Sequence, residues 1–160
     1  MKMRFPARRL AWLLLLPGLG SCQPPEIVVR AAFLGGKLAF VAAEGGEGGG
    51  LCWKEGAVVD DRLRPAWRFT APGTGSCGPL LPLFYGDPPE GSANAGPPRP
   101  LEPGRLYLVA GDATATVSGA FALSRSGRGL IVHNVDSDSP AAAELRRRWR
   151  ASLVAAPGAP

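Results

Sequence analysis

The strongest nucleophiles and softest metal ligands in this 160-residue chain are three thiols and one imidazole: Cys22, Cys52, Cys77 and His133. Cys77 and His133 can be drawn as a thiol–imidazole dyad, which needs Cys77 free to form a thiolate. His133 falls at period two with Ile131 and Val135, however, and a lone histidine on such a strand face reads as a satisfied structural residue. Ser76 sits in GTGSCG, where Gly75 directly precedes it, so the G-x-S-x-G spacing of a nucleophile elbow fails. The run EGGEGGG (44–50) has no Gly-Lys-Ser/Thr and no helical pattern after it, and reads as a loop tip. Asp136 and Asp138, with Ser137 and Ser139, lack the glycine and terminal glutamate of a calcium loop and read as a solvated turn before a helix. The chain has no C-x-x-C, no histidine tract and no C-x-x-C-H. This inventory points away from an enzyme and implies no cofactor and no metal.

Binding chemistry is better represented. Trp53, Trp67 and Trp149 offer faces that could stack on sugars, with Trp67 at period two from Phe69 and Trp53 beside Cys52. Trp53 is expected to pack against a disulfide at Cys52. Arg146, Arg147, Arg148 and Arg150 surround Trp149, a pattern able to meet anionic headgroups or an acidic partner.

The start of the chain, MKMRFPARR followed by LAWLLLL and Pro17-Gly18, has four cations and a short apolar run. Leu10 to Gly20 is too short to span a bilayer, which takes about 20 apolar residues. The arrangement is that of a secretory signal. Leu19-Gly20-Ser21-Cys22 resembles the lipobox of bacterial lipoproteins. That resemblance implies removal of residues 1–21, a diacylglycerol on the Cys22 thiol and acylation of the new N-terminus. It places the protein on a membrane facing the periplasm. Gln23, which is not Asp, favours the outer membrane over the inner. In an oxidising periplasm the two remaining cysteines, Cys52 and Cys77, are expected to pair. The alternatives are two buried free thiols, or a catalytic or metal-binding use.

The charge follows the same division. Of 18 basic residues four lie in the signal, which leaves 14 against 13 acids. Setting aside the arginines of 146–150 and Glu144 leaves 10 basic against 12 acidic residues. The positive balance therefore belongs to the two ends of the chain and excludes the basic stripe of a nucleic-acid-binding domain.

These side chains must be held by short strands. Residues 22–25 form a short tether, and 26–137 read as one β domain. Ile27, Val29, Ala31 and Phe33 alternate, as do Leu38, Phe40 and Ala42, with Gly35-Gly36 between them as a hairpin turn. Further strands are expected in LCWKEGAVV, AWRFTA, LLPLFYG, RLYLVAG, ATATVSGAFAL and GLIVHNV. The Pro/Gly-rich stretch 86–104 is long for a loop and is expected to be functional or disordered. A helix is expected over 139–154, capped by Ser139 with Pro140 first, and residues 155–160 form a disordered tail. Leu145, Trp149 and Leu153 share one face of it, and its late arginines complement the helix dipole. The simplest arrangement docks that face on the β domain; the alternatives turn it to the membrane or to a protein.

Leu101-Glu102-Pro103-Gly104-Arg105-Leu106-Tyr107-Leu108-Val109 resembles the L-x-P-G-x-x-Y-x-V segment of fibronectin type III domains. The resemblance implies a tyrosine corner at Tyr107 and an immunoglobulin-like β-sandwich of about 7–8 short strands with one C-terminal helix. The functional expectation is a lipid-anchored cell-envelope binding or structural module that joins an envelope protein complex. The alternative is a periplasmic lipoprotein that binds glycan, lipid or a small molecule through Trp67 and the 86–104 loop.

Overall fold

A computed structural model describes residues 25–43, 51–73, 76–78, 81–127 and 129–155. The lipidation site Cys22, the signal and most of the tether, the 44–50 loop and the tail 156–160 lie outside the described residues.

β1 (Glu26–Leu34) and β2 (Lys37–Ala42) form the expected hairpin. Gly35 and Gly36 both have positive φ, 57° and 80°, the backbone that a two-residue turn between right-twisted strands requires. β3 (Leu51–Trp53) leads into β4 (Glu55–Asp60), which turns back into β5 (Pro65–Thr70) and then β6 (Ser76–Gly78). β3 and β6 continue this ribbon, and Cys52 faces Cys77 across it in a disulfide. β7 (Leu83–Phe84) and β8 (Ala93–Asn94) are short; β9 (Leu106–Asp112), β10 (Thr116–Ser126) and β11 (Gly129–Val135) form a long meander. α1 (Pro140–Ala155) closes the described chain.

The mainly β class with one C-terminal helix is as expected. The two separately laddered sheets of a sandwich are not seen: one ladder runs β7-β2-β1-β10-β9-β4-β5-β8, with β11 also on β10. The sheet is mixed and curls into a half-barrel. The curl begins where β1 changes partner. β1 runs parallel to β10 over Glu26–Val28 and then leaves it for β2, while β11 takes over the same side of β10. Gly119 permits this close crossing, because a Cβ there would collide with the Val29 carbonyl. Beyond the fork, the Asn134 side chain stands in for a strand partner. Its Oδ1 accepts from the Ala31 N–H at 2.7 Å and its Nδ2 donates to the Ala31 carbonyl at 3.0 Å.

The concave side holds the main core, with Phe40, Trp67, Phe69, Tyr107 and Phe121 at its centre. α1 lies on the convex side, where Leu145 and Trp149 meet Ala57, Val59 and Leu108. The tyrosine corner is present: the Glu102 N–H donates to the Tyr107 hydroxyl at 2.7 Å, with Gly104 at φ 80° in the turn. Residues 86–104 are not a free loop. They strap the outer edge of β5, with Ala95 N–H donating to the Arg68 carbonyl and Arg99 N–H to that of Ala66.

Candidate functional site

Local sequence sets the helix. Ser139 Oγ accepts from the Ala142 N–H at 3.3 Å, and its carbonyl takes the first helical bond from Ala143. Asp136 builds the preceding turn, its Oδ1 accepting from the Asp138 N–H. Residues 142, 145 and 149 then fall on one stripe, and all three are buried. Trp149, expected as a surface contact, is only 9% exposed, because the apolar stripe docks on β4 and β9.

The arginines divide by their position around that stripe. Arg148 reaches the Asp61 carbonyl at 3.3 Å, and Arg147 pairs with Glu144 one turn back. Arg146 is half-buried; its Nη2 donates to the Ser137 carbonyl at 3.3 Å while its Nε is buried without an acceptor. Arg150 is exposed. The last turn of α1 holds no basic residue, so the expected complement to the helix dipole is not made: the arginines sit mid-helix.

Between α1 and the convex sheet runs a cleft of about 150 Å³. Ala57, Leu108 and Ala110 give it an apolar floor, and Arg146, Arg150 and Leu153 form its helical wall. Its rim pairs opposite charges, Lys54 with Asp112 at 3.5 Å and Arg68 with Glu55 at 3.8 Å.

Trp67 does not belong to any surface. It is 2% exposed, its indole N–H donates to Asn94 Oδ1 at 2.7 Å, and its ring meets Phe69 and Tyr85. The sheet curls toward the Trp67–Phe69 face and the 86–104 strap seals it, which removes the expected contact. Trp53 is likewise buried, against Phe69 and over Gly111. Adjacent residues on a strand point to opposite faces, so Trp53 and Cys52 diverge. His133 is exposed and lies 2.7 Å from Ser124 Oγ through Nε2, while Cys77 is oxidised, so no dyad forms. Among the described residues no group of three or more His, Cys, Asp or Glu side chains could hold a metal.

A second surface was not anticipated. From the Ala31–Asn134 bond, antiparallel register puts Phe33 level with Val132 and Leu34 level with Ile131. Phe33, Leu34, Leu130 and Ile131 are 38–44% exposed and thus gather at the tips of two hairpins. The edge of β11 away from β10 faces β1 across the fork and has no backbone partner among the described residues. The unbroken apolar run Leu130-Ile131-Val132 was the sequence signal for this patch, since a strand with one solvated face normally alternates.

Among the described residues no helix is long and apolar enough to cross a membrane. No family model, curated protein or solved structure matches this chain.

Proposed function

We propose that this chain is a lipid-anchored module of the bacterial cell envelope, held at Cys22 on a membrane facing the periplasm, and that it acts by binding a protein of an envelope complex. The observation that carries the reading is the apolar tip, where Phe33, Leu34, Leu130 and Ile131 flank the unpaired edge of β11. An open strand edge recruits an extended segment by backbone hydrogen bonds, and neighbouring apolar side chains add area and selectivity. The ligand-binding alternative loses its two supports, since Trp67 is buried and residues 86–104 are bonded to β5. The fold itself is proposed as an immunoglobulin-like sandwich whose two halves are joined through β1. The Tyr107 corner and the change of partner along β1 support that relation.

Photo-cross-linking in cells tests the function. A photoreactive residue at Ile131 should give one discrete protein adduct, and the same residue at Arg62, on the β4–β5 turn, should not. Leu130→Lys should abolish the adduct without unfolding the domain. Equal labelling from both positions, or none from Ile131, rejects the reading. The anchor is tested apart from it: Cys22→Ser should move the protein out of the membrane fraction, and an acylated, processed variant would refute lipidation at Cys22.

A further inference from the structure

The beginning of β1 and the end of α1 meet at one end of the sheet. The Pro25 carbonyl accepts from the Thr116 N–H at 2.9 Å, Glu26 pairs with Thr116, and Ser118 Oγ donates to the Glu26 carboxylate at 2.5 Å. Thr116 and Ser118 also line the cleft whose far wall is Arg146, Arg150 and Leu153. Whatever precedes Pro25 is therefore delivered beside the last turns of the helix. A lipid on Cys22 would be joined to Pro25 by three residues of chain, which reach at most about 10 Å.

That helix end presents a distinctive combination. Leu153 is 48% and Val154 82% exposed, although the rest of the apolar stripe is docked. The neighbouring cations Lys54, Arg68 and Arg147 each have a carboxylate partner. Arg146 and Arg150 have none among the described residues, and Arg146 keeps a buried Nε–H without an acceptor. Apolar side chains flanked by unmatched arginines are what an interfacial helix brings to a bilayer, with the apolar groups at the acyl boundary and the guanidiniums on phosphate.

We propose that the stretch of α1 from Arg146 to Val154 is a membrane footing: Arg146 and Arg150 meet the headgroups of anionic phospholipid, and Leu153 and Val154 enter the interface beside the anchored N-terminus. The footing rests on the reading that the chain is tethered at Cys22. It adds that the domain is held in one orientation rather than swinging from its tether.

The test uses the full chain and vesicles of phosphatidylcholine alone or mixed with phosphatidylglycerol. An environment-sensitive fluorophore on Val154→Cys should shift to the blue on the mixed vesicles and stay aqueous on phosphatidylcholine. Arg146→Gln with Arg150→Gln should weaken the phosphatidylglycerol-dependent part of binding by about 30-fold, roughly five-fold for each arginine. The single exposed variant Arg150→Glu guards against misfolding, and Arg62→Gln should change nothing. The same pairs in a Cys22→Ser background separate the two readings. An arginine-dependent gain that persists there keeps the footing whatever becomes of the anchor. Its absence in both backgrounds overturns the footing and leaves the anchor to its own fractionation test. A fluorophore that stays aqueous on every vesicle but is shielded in cells marks a protein at this site and also overturns it.

Discussion

Asp60 lies at the rim of the concave face, opposite Tyr107 on β9. It ends β4 with its carboxylate 4% exposed, accepting N–H groups of Arg62 and Arg64 at 3.0 and 2.9 Å, and Arg64 Nε at 3.0 Å. Burial works to raise its pKa. The bonds from the Arg64 backbone and guanidinium and from the Arg62 N–H outweigh it and hold the group below its ordinary value of 3.8. Because the folded pKa is the lower one, the stabilisation is complete above about pH 4 and is lost as the pH falls through the folded value. Urea midpoints should therefore drop steeply below pH 4 for the native chain and less steeply for Asp60→Asn. That variant should already be weaker by about 2 kcal/mol at pH 7. Asn134→Ala should cost about 1–3 kcal/mol, since it strips both partners from the buried Ala31 backbone; a denaturation midpoint equal to wild type would show that water replaces the amide. Single residues were legible where their chemistry is local. Tyr107 and Ser139 each bond within five residues, so the motif contains the answer. Asn134 bonds to a residue 103 positions away, and nothing near it in sequence says so.

Among the elements, α1 and the β3–β6 ribbon each hang on few contacts. Trp149→Ala removes the larger of two docked side chains and should cost about 3–5 kcal/mol, releasing the helix to proteolysis near Arg146–Arg150. Leu153→Ala, on an exposed side chain, should leave the denaturation midpoint within about 0.5 kcal/mol. Replacing Cys52 and Cys77 with serine opens a loop of 25 residues' separation and should cost about 3.5 kcal/mol in the chain-entropy view. Calorimetry with and without reductant checks that figure. The strap makes a different prediction. Exchanging residues 88–98 for a flexible linker should bare the edge of β5 and produce concentration-dependent aggregation in light scattering, with the monomer otherwise folded. The hairpins, the capped helix and the disulfide were readable because turn glycines, a cap and a cysteine pair declare themselves over short spans. The strap was not, because a Pro/Gly-rich composition describes a free loop and an edge-covering one equally well. The alternation of Trp67 with Phe69 gave their common face, but only the curl of the sheet decides that this face is inside.

At the scale of the whole molecule, the ladder that makes the half-barrel also separates two surfaces. Strand order could not be read in advance, because the parallel pairing of β1 with β10 joins segments 90 residues apart, Glu26 with Thr116. That pairing puts the start of β1 next to the helix end and sends the β1–β2 and β10–β11 tips the other way. β10 runs the whole distance as one strand of 11 residues, about 35 Å at 3.2–3.4 Å per residue. On the proposed footing, this strand works as a spacer of fixed length. It holds Leu130 and Ile131 a set height above the bilayer, so a partner embedded in the same membrane must itself rise about that far to be met. On that proposal, shorter envelope proteins would pass beneath the tip untouched, and β10 would select partners by stature before any side chain touches them.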